Sequence, residues 1–217
     1  MAIAFDAKSD NNFSAATSAT LAHTATGSNG LVFVGVSNAL GVTCTGVTWD
    51  GNAMTQVGSS QTLTGTSEVS VWYYFAGSFA GTSKNVIASF GSSATSRIRV
   101  TTYTGVKQSG IDSSAQTAVG GGDPYTLTTT VVQSDCWVAA FVKNNTDNMT
   151  AGSGTTIRTS STTSDDSALI ADSNGTVATG SISLNYDVPA ASTSVGSIIS
   201  FATATASTAN SNFFLLL

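Results

Sequence analysis

The stretch from Val42 to Phe75 carries a period-two hydrophobic pattern that breaks at Asp50-Gly51 and closes on the aromatic run Trp72-Tyr73-Tyr74-Phe75. A period of two belongs to a strand that shows different faces to its two sides, and no 3.6-residue period competes with it here. Asp-Gly supplies the two positive-φ positions of a type I′ turn, which joins antiparallel strands directly. The stretch is therefore predicted as two or three neighbouring strands with a tight hairpin, Trp49 opposite Asn52 and Val47 facing Met54. It holds no obvious catalytic group.

The same texture runs the length of the chain. Runs rich in Val, Ile, Thr and aromatics, set between Gly, Asn, Asp and Ser clusters, mark strands at 2–7, 19–25, 31–37, 42–49, 52–58, 68–75, 85–90, 97–103, 125–132, 136–143, 155–159, 168–171, 181–186 and 197–203. Charged residues are only 9% of the 217, against about 25% in an ordinary soluble domain. Helical surfaces are normally filled with Glu, Lys, Arg and Gln, and Glu68 is the sole glutamate. The predicted fold is all-β, an antiparallel two-sheet sandwich of jelly-roll type with little or no helix.

Faces follow from the alternation. Val69, Val71, Tyr73 and Phe75 should point into a core, and Glu68, Ser70, Trp72 and Tyr74 away from it. Leu31, Phe33 and Gly35 alternate with Val32, Val34 and Val36, and Trp137, Ala139 and Phe141 with Cys136, Val138, Ala140 and Val142. Both runs are apolar on two sides and should lie at the centre. The chain reads as one domain over 1–217, with a candidate sub-boundary at 109–124, where Gly120-Gly121-Gly122 suggests a mobile loop or a crossing between sheets.

Several function classes drop out. A net charge of −5 leaves no basic footprint for nucleic acid; Arg97, Arg99 and Lys107 fall close together, but Arg97 and Arg99 share one strand face and are expected on a solvated side. The first residues lack the basic and apolar regions of a secretory signal, and no apolar run is long enough to span a bilayer, so no membrane partner is expected. Cys44 and Cys136 are expected as buried thiols, and one histidine with no Cys-x-x-Cys spacing argues against zinc. Asp165-Asp166 and Asp172-Ser173-Asn174-Gly175 are the nearest approach to a cation loop but match no EF-hand spacing. His23 has no Gly-x-Ser-x-Gly elbow to serve, so it is expected as an exposed or hydrogen-bonded strand residue. Most aspartates sit beside Gly, Pro, Asn or Ser, as turn residues do. The chain is expected to be no enzyme and to carry no cofactor or metal.

Two features ask for a partner. Trp72 and Tyr74 lie on the face turned away from the core, either against a second layer or a neighbouring subunit, or as a stacking platform for a glycan. Phe213, Phe214, Leu215, Leu216 and Leu217 form an apolar chain end that must be covered, inside its own domain or on an adjacent subunit.

The run Gly46-Val47-Thr48-Trp49-Asp50-Gly51-Asn52-Ala53-Met54-Thr55-Gln56-Val57, the strand Val69-Ser70-Val71-Trp72-Tyr73-Tyr74 and the later Arg99-Val100-Thr101-Thr102-Tyr103-Thr104-Gly105-Val106 together resemble a β-sandwich module of tailed bacteriophages. The resemblance covers residues 31–112. It implies a virion component: a capsid decoration or cement protein, with a tail or head-fibre component as the alternative. The implied partners are further copies of the chain, as in a trimer, and other virion proteins such as the major capsid protein. It carries over no catalytic residue. A carbohydrate-binding sandwich is the competing reading, with a glycan as partner.

Overall fold

The structure, a computed structural model, describes residues 1–63, 65–145, 149–159, 168–188 and 192–205. Fourteen strands and no helix occur among them, all paired antiparallel.

The first sheet is built around two very long strands, β1 (Ala4–Ala39) and β6 (Ser67–Thr104), of 36 and 38 residues. Drawn out straight, each would span roughly 120 Å. Instead each bends at register shifts and pairs with the other in successive arms. Residues 4–13 lie against 96–104, residues 18–28 against 78–89, and residues 30–39 between 67–76 and 96–103. The sequence runs expected at 19–25 and 31–37 are thus arms of one strand, as are those at 68–75, 85–90 and 97–103. Small residues mark the bends: Ala16 opposes Ala94 at one, and Gly27 and Asn29 take positive φ at another. The sheet is completed by β2 (Cys44–Trp49), β3 (Asn52–Ala53), β4 (Thr55–Gln56) and β5 (Gln61–Leu63).

The second half forms two more sheets. A five-stranded one has the order β11 (Thr156–Thr159), β12 (Ala168–Asp172), β9 (Trp137–Asn144), β14 (Thr193–Phe201), β7 (Ser113–Gly121). A three-stranded one has the order β10 (Thr150–Ala151), β13 (Gly180–Asp187), β8 (Tyr125–Val131). Because the first sheet folds back on itself, the result is a sandwich of more layers than the expected two, with three apolar cores.

The first core lies inside the folded sheet, where Leu21, Val47, Trp49, Met54, Val86 and Ala88 meet Val32, Val34, Trp72, Ile98 and Val100. The second joins the halves: Leu31, Phe33, Val69, Val71 and Tyr103 pack on Trp137, Ala139, Phe141, Ile170, Ile199 and Phe201. The third places Val138, Ala140, Val142 and Ile198 against Leu127, Leu184 and Tyr186. The two runs that are apolar on both sides are central, each dividing its side chains between two cores.

The hairpin also follows its sequence. Asp50 and Gly51 have φ of 48° and 80°, Trp49 pairs with Asn52, and the Met54 amide donates to the Val47 carbonyl at 2.9 Å.

The layering also decides the remaining placements. Trp72 is buried within the chain, because its strand is covered on both faces; its indole donates to Ser70 Oγ at 2.9 Å. Tyr74 is half-buried against the same core, and Tyr73 and Phe75 are half-buried against the second. The segment 109–124 is mostly strand: residues 113–121 form β7 and pair with β14. Both cysteines are free and buried, Cys44 in the first core and Cys136 in the third. Residues 213–217 lie outside the described residues.

Candidate functional site

Among the buried polar side chains, His23, Arg99, Lys143 and Asp172 carry ionisable groups. His23, on the arm of β1 that pairs with Lys84, points inward and is buried. Its Nδ1 lies 2.9 Å from Ser9 Oγ and its Nε2 3.1 Å from Thr102 Oγ1. Thr102 donates to Asp6 Oδ2 at 2.9 Å, so its oxygen is left to accept from Nε2–H, and Nδ1 then accepts from the Ser9 hydroxyl. Asp6 also accepts from the Thr26 hydroxyl at 2.7 Å and the Thr26 amide at 3.0 Å. The order serine, imidazole, hydroxyl, carboxylate resembles an activated nucleophile, but the ring is enclosed and stacks edge-on to Trp49 at 5.8 Å. Burial pulls the imidazole pKa down to about 4, with Asp6 opposing the shift. The histidine is neutral at physiological pH and fastens the arms of the folded sheet.

A second assembly fastens the two halves. Arg158 on β11 grips Asp172 on β12 through Nε at 2.7 Å and Nη2 at 2.9 Å, and its guanidinium lies 4.3 Å from the centre of the Phe5 ring. Tyr103, from the first sheet, donates to Asp172 Oδ2 at 3.0 Å. Burial, then the charge of Asp172, drives the Tyr103 phenol well above its ordinary pKa. It therefore acts only as a hydrogen-bond donor.

Arg99 departs from its expected solvated position. It is buried, and it donates to the carbonyls of Ala168, Asn11 and Ile98 and to Asn12 Oδ1 at 3.0–3.1 Å. Its position follows from register: residues 97, 99, 101 and 103 face the second half, and only their pairing partners reveal that this face is covered. Lys143 of β9 is buried too, with its pKa lowered to about 7 by burial and then by the charge of Arg97. Lys107 reaches Gln133 Oε1 at 2.9 Å on the surface. Asp172, in the sequence's nearest approach to a cation loop, is taken up by Arg158; Asp165 and Asp166 lie outside the described residues. Among the described residues no three His, Cys, Asp or Glu side chains gather as a ligand set.

Among the described residues, two clefts that open at the surface can be set out. One, of about 200 Å³, sits beside the hairpin and is lined by Ala25, Trp49, Asp50, Phe79, Ala80 and Lys84, with Ser78 and Thr82. Asp50 and Lys84 form an ion pair of 2.8 Å at its rim, and Trp49 and Phe79 meet edge to face at 6.2 Å. The other, shallower cleft lies at a bend of β1 and β6, between Asn12, Phe13 and Ser14 on one side and Thr95, Ser96 and Arg97 on the other. Neither contains Trp72 or Tyr74. The hairpin cleft was partly written in the sequence, through Trp49-Asp50-Gly51; Phe79 and Lys84 carried no local signal, because the pairing of β6 with β1 and β2 brings them there. Against known proteins, no family model, curated sequence or solved structure matches the chain.

Proposed function

We propose that this chain is a structural protein of a tailed-bacteriophage virion, a capsid decoration or cement protein that works through contacts with copies of itself and with the capsid. The observation that carries the reading beyond the sequence motif is the outer face of the three-stranded sheet. Thr126, Thr128 and Thr130 of β8 stand opposite Asn185, Ser183 and Ser181 of β13, all on the face opposite the buried Leu127 and Leu184. Thr128 and Ser183 hydrogen-bond at 2.7 Å, and Thr126 and Asn185 at 2.9 Å. These six side chains carry no charge. Covering such a face with a neighbouring subunit avoids desolvating ions, and its hydroxyls can re-pair across the contact.

The resemblance supports the same reading, since its three motifs are neighbours in the fold. The Val47–Met54 hairpin, Trp72 and the arm holding Val100 contribute to one core.

The test is sedimentation of purified virions together with light scattering of the isolated protein. The reading expects the chain to co-sediment with particles and to form a discrete oligomer. Thr128→Asp should weaken either association by introducing a charge at the centre of the face. A chain that stays monomeric and never enters the particle fraction overturns the proposal.

A further inference from the structure

We propose that residues 18–24 of β1 form a self-docking edge, where two copies of the chain join antiparallel about a twofold axis at Ala22 and continue their first sheets into one. This edge belongs to a different sheet from the face of β8 and β13, and the inference does not rest on the virion reading.

The ladders fix where the backbone groups point. In this part of the sheet β6 lies between β2 and the arm, for Val86 pairs with Trp49 on one side and with Leu21 on the other. The Asn85 carbonyl accepts from the Asp50 amide, on the β2 side. These directions alternate along a strand, so Lys84, Val86 and Ala88 turn theirs to the arm, where they face His23, Leu21 and Ala19. Thr20, Ala22 and Thr24 therefore aim their N–H and C=O groups at the open edge. Among the described residues no strand pairs with the arm on that side. Such a row of ladder groups is a template for a further strand.

Nothing in the arm opposes that pairing. No register shift interrupts 18–24, and the segment has no proline. From Asn11 to Trp49 the chain carries no Asp, Glu, Lys or Arg, so a copy brought alongside meets no like charge from it. Other edges are blunted. The arm at 4–13 carries Asp6, Lys8 and Asp10 and a register shift, β3 and β10 have two residues each, and the Thr117 carbonyl of β7 accepts from Gln61 Nε2 at 2.9 Å.

Electrostatic complementarity names the occupant. The alternating partial charges of this edge are matched by the same strand run antiparallel, and such an isologous contact closes at two subunits. Because Thr20, Ala22 and Thr24 alone turn outward, they can pair only with one another. An axis at Ala22 sets that residue against its own copy and Thr20 against Thr24 on either side, which places Thr–Thr pairs on the exposed face. The buried Leu21 and His23 keep facing inward in both copies.

Sedimentation velocity of the full chain over a concentration series tests the proposal and should show a reversible monomer–dimer equilibrium. Ala22 is exposed, so Ala22→Lys and Ala22→Glu should leave the fold intact while setting a charge against its own copy across the axis. Each should weaken the dimer about tenfold, and an equimolar mixture of the two should restore it. Ala22→Pro removes one outward N–H and no bond within the chain, so it should weaken the dimer with thermal unfolding little changed. Should it fail to fold, the charged variants decide the matter. Thr128→Asp, on the other sheet, should leave this dimer in place. A chain that stays monomeric, association undiminished in the folded Ala22 variants, a mixture that restores nothing, or loss of the dimer in Thr128→Asp would each overturn the assignment. Co-sedimentation with particles reads the virion proposal separately.

Discussion

Acid should unfasten the folded sheet through a single residue. His23 is the only histidine in the chain, so its imidazole resonances are unambiguous and its titration can be followed directly. In the folded protein its pKa is lowered from 6.5 to about 4, chiefly by burial, against the attraction of Asp6. The unfolded chain has no such burial. Between pH 6.5 and 4 the unfolded state therefore binds more protons than the native one, and stability must fall as pH falls. The contribution is fully present above pH 6.5 and is lost progressively down to about pH 4. At 1.36 kcal/mol per pH unit the loss is about 3 kcal/mol, a large part of a marginally stable protein's reserve. Ser9 and Thr102 could both accept from a doubly protonated ring, so the cost comes from enclosing the charge more than from lost hydrogen bonds. Urea denaturation of the protein and of His23→Gln across pH 4–8 isolates the effect, because the carboxylates titrate alike in both. Gln should cost about 1 kcal/mol at pH 7 by giving up part of the network. The two stabilities should then converge and cross as the pH drops. An imidazole that titrates near 6.5, or a stability difference that stays constant with pH, refutes the reasoning.

Three other perturbations probe the packing. A Cβ on Gly35 would lie 2.0 Å from Phe141 Cδ2, at the seam between the first and five-stranded sheets. Gly35→Ala should destabilise by about 1–3 kcal/mol in thermal denaturation, and Phe141→Leu should recover part of that loss when combined with it, which a purely local backbone effect would not allow. Asp172→Ala removes the acceptor of both Arg158 and Tyr103 and should cost about 3–5 kcal/mol, whereas Tyr103→Phe should cost about 1; strict additivity of the two would contradict a shared network. The thiols of Cys44 and Cys136 should resist a thiol reagent at pH 8 in the native protein and both react in denaturant. Burial raises the pKa of Cys44 and pushes that of Cys136 up to about 12.

How much of this was legible depends on the range of the interaction that decides it. The hairpin was readable because Asp50-Gly51 sets its own φ values and fixes the register of Val47 against Met54 locally. Leu31–Val36 and Trp137–Val142 announced their central position because a strand covered on both sides must be apolar at every residue. Residues 68–75 defeated the same logic. Ser70, Trp72 and Tyr74 read as an outward face because polar and aromatic residues occupy it, yet the folded sheet covers that face and Ser70 serves as the acceptor for Trp72. β7 was missed for the opposite reason. Its Ser-, Ala- and Gly-rich sequence has little strand propensity of its own, and pairing with β14 at the sheet edge holds it extended.

The polar fasteners were illegible in principle. His23 meets Thr102 across 79 positions, and Tyr103 meets Asp172 across 69. Such pairs exist only once several ladders have settled their registers, and no window of sequence contains both partners. Their placement nonetheless has a physical reason. Apolar layers packed face to face resist separation but resist sliding poorly, since one Val or Ala row is much like the next, and no disulfide ties this chain's layers together. A directional bond between layers removes that degeneracy, because a slip by one residue would turn His23 or Asp172 away from its partner and leave it buried and unsatisfied. The chain is poor in charge, yet it buries Arg99, Lys143 and Asp172, and all three lie on strands at or beside the seam between the halves. Three of its scarce ionic groups thus lie where the sheets must align, while others, such as the Asp50–Lys84 pair, stay at the surface.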